Sequence, residues 1–134
     1  MAEVVVCSTG EGLRQTLVAG PHVLVADEPV SAGGADAGPN PYELLLGALG
    51  ACTAMTLHLY AQRKGWSIGT VSVSLALRRG KDGSRIERRV SLSAPLSQEQ
   101  QAKLADICEK TPVTLVVKSG IDLRTTIASD QPVT

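Results

Sequence analysis

The stretch GPNPYELLLGALGACTAMTLHLY (38–60) begins with a clear helix start and continues as an apolar helix. Asn40 suits the N-cap, Pro41 suits the first helical position, and Glu43 falls at the third, which is the spacing of a capping box. No formally charged residue occurs from Leu44 to Gln62. The sequence therefore predicts a long helix that is buried on nearly all sides.

The size and composition of the chain indicate one domain, 1–134, with an aliphatic core. There is no Phe, one Trp and two Tyr, which argues against nucleic-acid modules that stack bases on exposed rings. The N-terminus, MAEVVVCSTGEG, lacks the basic region of a signal peptide. With three cysteines, we expect a cytoplasmic protein with reduced thiols. CxxC and HExxH patterns are absent, so no metal site and no metal cofactor are predicted.

The remaining elements follow from alternation, turn residues and capping signals. Strands are expected at 2–8, 13–18, 22–27, 68–79, 85–94 and Ile121–Ile127. Helices are expected from Asn40 to Lys64, from Ser97 to about Lys110, and in a short segment after Thr111. The Gly/Ala-rich VSAGGADAG between the third strand and the first helix is interpreted as a loop, because the Lys-Ser/Thr of a phosphate cradle does not follow it. This order predicts an α+β fold.

Basic residues are concentrated in one hairpin, RRGKDGSRIERR (78–89). The hairpin could form a nucleic-acid patch or a solvated face. We favour the solvated face and predict no nucleic-acid partner, because Asp82 and Glu87 interrupt the basic run and no aromatic residue accompanies it.

The apolar run of the central helix is long enough to suggest a membrane span. Polar residues such as Thr53, Thr56 and His58 dilute it, and a span here would place the two groups of strands on opposite sides of a membrane. We therefore predict no membrane association.

A chain of this size cannot easily surround the central helix alone. Small residues, Gly47 with Ala51 and Gly50 with Ala54, would let a second helix approach closely. We therefore predict a homodimer with paired central helices.

Cys52 lies near the middle of this helix. Only a thiolate is a good nucleophile, and Cys52 is too far from the helix start to benefit from its dipole unless the helix breaks near Gly47 or Gly50. A cation from elsewhere is then required, and the only basic residue before the helix is Arg14. Without such a cation, Cys52 would behave as a small apolar side chain. Both interpretations remain open on these residues alone.

The segments GGADAGPNPYELLLGALGACTAMTLHLYAQRKGW (33–66) and KLADICEKTPV (103–113) resemble the OsmC/Ohr family. The resemblance implies an OsmC-like fold: an intertwined homodimer with two β-sheets wrapped around paired central helices. It also implies reduction of organic hydroperoxides or hydrogen peroxide by an external thiol reductant, with no other cofactor. In that comparison Cys52 matches the peroxidatic cysteine, Arg14 loosely matches the Arg that activates it, and Glu43 lies near the Glu that orients the Arg.

The sequence departs from the family pattern at three places. The first is Arg14, which matches only loosely and is either the activating Arg or a plain surface residue. The resolving cysteine of the family lies in a CPV motif, where this chain has Thr111. Cys108, about one helical turn earlier, is either a substitute resolving cysteine or a structural residue. The family Glu follows directly after Asn-Pro, where this chain has Tyr42, a possible pocket residue. Glu43 is one residue later, so its side chain is turned by about 100° around the helix from the position of the family Glu.

These departures favour a one-cysteine cycle in which an external thiol attacks the Cys52 sulfenic acid. The alternative is a non-catalytic OsmC-fold protein that binds a small molecule or senses redox state, and that has lost the resolving cysteine.

Overall fold

The computed structural model describes residues 1–129 and has a mixed α+β architecture, which confirms the predicted fold class. In chain order, the elements are β1 (Val5–Ser8), β2 (Gln15–Ala19), β3 (His22–Ala26), α1 (Pro41–Lys64), β4 (Val71–Gly80), β5 (Gly83–Leu92), α2 (Gln98–Cys108) and α3 (Pro112–Ser119). One turn of 3-10 helix, Val30–Ala32, lies in the loop that leads to α1.

The start of α1 forms the predicted capping box. The Asn40 side chain accepts a hydrogen bond from the Glu43 backbone N–H at 2.8 Å, and the Glu43 carboxylate accepts one from the Asn40 N–H at 2.9 Å. The helix ends at Gly65, whose φ of 71° lies in the left-handed region that favours glycine. Between these caps α1 is continuous, so Gly47 and Gly50 do not divide it.

Two antiparallel sheets accompany the helices. One has the order β1-β2-β3, and the other is the β4–β5 hairpin, paired from Val71↔Leu92 to Gly80↔Gly83. The hairpin packs on α1 so closely that a Cβ at Gly50 would lie 2.8 Å from Leu75 Cδ1. Gly50 therefore contacts the chain's own hairpin, and its predicted role in packing a second helix is wrong.

The core lies where α1, α2 and the base of the hairpin meet. Its buried members are Leu57, Ala61, Ile68, Leu104 and Cys108. Ser97 caps α2 through a second capping box with Gln100, as predicted. The core thus fixes the second half of α1 against α2.

The opposite side of α1 remains uncovered in the single chain. Only 22% of its most apolar stretch of 18 residues is buried. By length and composition it could cross a membrane, but the mostly buried core helices of soluble proteins meet the same two criteria.

The predicted strand at Ile121–Ile127 does not form within the described chain. Ile121, Leu123 and Ile127 alternate as in a strand, yet each is more than two-thirds exposed. A strand requires a hydrogen-bonding neighbour, and residues 1–129 offer none at this place. Strands β1–β3 likewise make no extensive contact with the other elements of residues 1–129.

Candidate functional site

Cys52 lies half-buried at the edge of the uncovered side of α1. Leu45, Met55 and Leu59 are exposed, and their spacing from Cys52 places all four on one side of the helix. The Cys52 Sγ lies 4.0 Å from the Thr56 hydroxyl, one turn later. The thiol therefore lies within an apolar stripe that a partner or ligand can reach.

The next residue, Thr53, points toward the β4–β5 hairpin and is fully buried. Its hydroxyl donates to the Leu49 carbonyl at 2.7 Å and accepts from Arg88 Nη1 at 3.0 Å. Adjacent positions of α1 thus place a thiol on the uncovered side and a hydroxyl on the covered side.

Arg88 extends from β5 into the junction of the three helices. Besides Thr53, Nη1 donates to the Thr114 hydroxyl at 2.8 Å, and Nη2 donates to the Cys108 carbonyl at 2.8 Å. Its side chain is 13% exposed, and among residues 1–129 the carboxylate within ion-pair distance of it, Glu109, is 3.9 Å away. Arg88 is thus a largely buried cation held mainly by neutral oxygen atoms.

Thr111, at the position of the family's resolving cysteine, is fully buried and caps α3. Its hydroxyl accepts from the Thr114 N–H at 3.3 Å and lies 2.6 Å from the Thr114 hydroxyl. The Thr114 hydroxyl in turn donates to the Cys108 carbonyl at 3.2 Å. Thr111 therefore belongs to the hydrogen-bond network around Arg88.

The structure does not bring Cys108 and Cys52 to the same side of α1. Cys108 packs in the core against the side that carries Leu57, and Leu57 is about 140° around the helix from Cys52. Burial raises the pKa of the Cys108 thiol, which the nearby Arg88 lowers only in part. A buried protonated thiol is a poor nucleophile, so this placement favours the structural role for Cys108.

Arg14 is exposed just before β2, and its electrostatic neighbour is Asp27. The pKa of Asp27 is lowered by hydrogen bonds from the Ala37 and Glu28 backbone N–H groups, with a smaller contribution from Arg14. Within the single chain, Arg14 is thus associated with the loop before α1. Its role beside Cys52 remains a prediction.

Glu43 and Tyr42 have structural roles in the single chain. Glu43 is engaged in the capping box. Tyr42 is half-exposed, and the Arg79 guanidinium lies 4.0 Å from its ring centroid, a cation–π contact between α1 and β4. Both contacts are explained by the fold of the single chain, without any role for these residues in a reaction at Cys52.

The sequence analysis missed Arg88, which it included in a solvated hairpin face. One signal could have identified it: Ile86, Arg88, Val90 and Leu92 occupy alternate positions on the inward face of β5. A single basic residue among apolar ones on that face indicates a buried charge that needs partners. Among residues 1–129, no group of three or more His, Cys, Asp or Glu side chains could hold a metal ion.

Comparison with known proteins agrees with this architecture. The family model for OsmC-like protein matches residues 33–126. No curated protein matches the sequence. Among solved structures, the fold is similar to an OsmC-like protein from Mycoplasma pneumoniae, with 19% identity over 90% of this chain and 89% of that one and a TM-score of 0.75.

Two further structures have related descriptions. A putative osmotic stress induced and detoxification response protein from Psychrobacter arcticus has 18% identity over 86% of this chain and 87% of that one, with a TM-score of 0.75. The organic hydroperoxide resistance protein OhrB of Bacillus subtilis has 19% identity over 91% and 93%, with a TM-score of 0.62. The family match covers most of the chain, including α1 and the network around Arg88, and the chain therefore belongs to the OsmC-like protein family.

Proposed function

We propose that this protein is a cytoplasmic thiol-dependent peroxidase with Cys52 as its nucleophile. The observation that carries the proposal is the placement of Cys52: it is half-buried in the accessible stripe of α1, inside the segment that matches the family. Two findings support peroxide as the substrate class: membership of the OsmC-like family, and a similar solved structure that is called an organic hydroperoxide resistance protein.

The proposed cycle uses one cysteine. The Cys52 thiolate attacks one peroxide oxygen, the O–O bond breaks, and the departing alkoxide takes up a proton to leave as an alcohol, or as water from hydrogen peroxide. Cys52 is thereby oxidised to a sulfenic acid. An external thiol then attacks that sulfur and displaces water, and a second thiol reduces the mixed disulfide and restores Cys52. Thr111 cannot act as an internal resolving group, because a hydroxyl forms no disulfide.

The working form in this proposal is a homodimer built on the uncovered side of α1. The apolar stripe formed by Leu45, Met55 and Leu59 surrounds Cys52 and requires a cover. The β1–β3 sheet and the strand-like residues 121–127 also make no extensive contacts within the described chain. A second copy would cover all three features and could bring an Arg14 to a Cys52.

The test is peroxide consumption by the purified protein. With cumene hydroperoxide and either dihydrolipoamide or dithiothreitol, we expect turnover that is absent in Cys52→Ser and retained in Cys7→Ser. Turnover in Cys52→Ser equal to that of the wild type would reject Cys52 as the nucleophile.

A non-catalytic binding protein is the second candidate. The observation that favours it is a cavity of about 610 Å3 bounded by α1, β5 and α3, with Leu49, Ile86 and Val117 as apolar walls and Arg85 and Lys118 among its polar lining residues. Saturable binding of an apolar organic acid by a protein that consumes no peroxide would favour this candidate.

A further inference from the structure

We propose that Arg88 is a positioning residue for Cys52, acting through Thr53; this inference rests on the proposed function. Thr53 follows Cys52 directly, so a contact that fixes the direction of Thr53 also fixes that of Cys52. The 3.0 Å hydrogen bond from Arg88 Nη1 to the Thr53 hydroxyl is such a contact.

The placement of Arg88 has a cost that its contacts must offset. It occupies an inward position of β5 between Ile86 and Val90, where an apolar residue would be the ordinary choice. A buried cation is costly unless its donors are satisfied, and Glu109 at 3.9 Å is shared with Lys118, which binds it at 2.6 Å. The hydrogen bonds to oxygen atoms on α1, α2 and α3 are therefore essential to keeping Arg88 in place.

The C-terminal end of α2 is one of these partners. Cys108 is the last residue of α2, and its carbonyl accepts from Nη2 at 2.8 Å. A helix C-terminus carries partial negative charge, so it stabilises a guanidinium there. Arg88 is thus fixed at the α2–α3 junction, and its hydrogen bond to Thr53 holds α1 to that junction.

The apolar contacts of α1 do not fix the rotation of the helix in the same way. Apolar burial is non-directional, and it allows small rotations of a helix whose surface is apolar nearly all round. A polar contact with defined geometry sets the rotation about the helix axis. The hydrogen bond from Arg88 to Thr53 is a contact of this kind, and it joins β5 to the middle of α1.

The hydrogen bonds of the same guanidinium also lead, through Thr114, to the position where the family has its resolving cysteine. Arg88 donates to Thr114, and the Thr114 hydroxyl lies 2.6 Å from that of Thr111. One side chain thus connects the residue after the proposed nucleophile with the position of the missing resolving group. In this arrangement the network orders the surroundings of Cys52 although this chain lacks that group.

The test compares variants that break the network with one that only weakens the core. Thr53→Val keeps the shape of the side chain and removes the hydrogen bond to Arg88, whereas Arg88→Met removes the charge and Arg88→Lys retains it. Ile68→Val is the control, because Ile68 is apolar and belongs to the core that meets the Arg88 network at Cys108. Each variant is assayed well below its unfolding temperature.

Two readouts are measured on each variant. The first is the single-turnover rate of Cys52 sulfenic acid formation with cumene hydroperoxide, trapped by dimedone. The second is the ratio of the iodoacetamide alkylation rate of Cys52 to that of free N-acetylcysteine in the same buffer, a reference thiol that no interface covers. Small misplacements of a reacting group can cost up to about 100-fold in rate, so we expect a loss of about tenfold in Thr53→Val and Arg88→Met.

Arg88→Lys should give an intermediate rate, because an ammonium group retains the charge but lacks the fork that spans three helices. The alkylation ratio should change about threefold or more in Thr53→Val and stay constant in Ile68→Val. Equal behaviour of these two variants would overturn the proposal. If Arg88→Met does not fold, Thr53→Val still decides. If the wild type consumes no peroxide, a changed alkylation ratio supports positioning while the proposed function fails.

Discussion

Arg88 Nη1 lies 3.0 Å from the Thr53 hydroxyl, so a side chain from β5 holds the residue that follows Cys52. Cys52 itself faces the other side of α1, where apolar residues are exposed. In the proposed mechanism, the hydrogen bond on the covered side of α1 fixes the rotation of the helix about its axis. The uncovered side carries the Cys52 thiol. The proposed chemistry depends on both.

The buried carboxylate of Asp27 organises the loop before α1, and this gives a prediction about acid stability. It accepts hydrogen bonds from the backbone N–H groups of Glu28, Ala35 and Ala37, and its pKa is lowered by them. Because the folded-state pKa is below the unfolded value, the stabilisation is present above about pH 4 and is lost as the pH falls through the folded-state pKa.

Asp27→Asn should therefore lower the free energy of unfolding near neutral pH, and its difference from the wild type should shrink below about pH 4. Urea unfolding of both proteins near neutral pH and below about pH 4 measures this difference in the free energy of unfolding. Asp36→Asn is the control, because Asp36 is exposed in the same loop and asparagine tolerates its φ of 56°. A difference that is independent of pH would contradict the prediction.

The sequence predicted those features that depend on neighbouring residues. Asn40 and Glu43 are three residues apart, so their capping box could be identified from local spacing. The two strands of the long hairpin, expected at 68–79 and 85–94, could be identified from local alternation in the same way. In contrast, the burial of Arg88 depends on Cys108 and Thr114, which are 20 and 26 residues away. Only the folded α2–α3 junction brings these partners together.

Two other errors have the same physical origin. Gly50 on α1 is predicted to pack against a second helix, but it contacts Leu75 of the hairpin, which is distant in sequence. The alternation at residues 121–127 predicted a strand, but alternation indicates two faces and does not supply a neighbouring strand. Both features depend on tertiary partners that a local pattern does not specify.

Thr111 offers a way to restore the family pattern. If the chain retains the family geometry, Thr111→Cys should introduce a resolving group, and peroxide should then produce a disulfide between Cys52 and the new cysteine. Loss of the threonine cap of α3 should lower the free energy of unfolding by about 1 kcal/mol. Non-reducing peptide mapping by mass spectrometry identifies the disulfide, and a double variant that also carries Cys52→Ser is the control. Persistent sulfenic acid without a disulfide would contradict the expected geometry.

The proposed homodimer can be tested at Met55, which is 64% exposed in the single chain and lies in the stripe beside Cys52. A charge buried in an apolar interface without a partner is costly, so Met55→Lys should convert the dimer to a monomer at micromolar concentration. Sedimentation velocity measures the change. Ala102→Lys is the control, because Ala102 is exposed on α2 and lies outside the stripe on α1. A wild type that is monomeric, or a Met55→Lys that stays dimeric, would contradict the proposed interface.

Glu43 can be assigned to the helix cap or to the reaction by two substitutions. Glu43→Gln keeps a carbonyl oxygen that can accept from the Asn40 N–H, so the capping box persists and only the charge is lost. Because a charge near a helix N-terminus contributes about 0.5 kcal/mol, we expect a small loss of stability. We also expect kcat/KM for cumene hydroperoxide to stay within about twofold of the wild type.

Glu43→Ala also removes the acceptor and should lower the free energy of unfolding by about 1 kcal/mol, again with little effect on kcat/KM. Urea unfolding and steady-state kinetics on both variants check these values. A fall of about tenfold in kcat/KM in Glu43→Gln, without a comparable loss of stability, would instead show that the reaction requires the Glu43 charge.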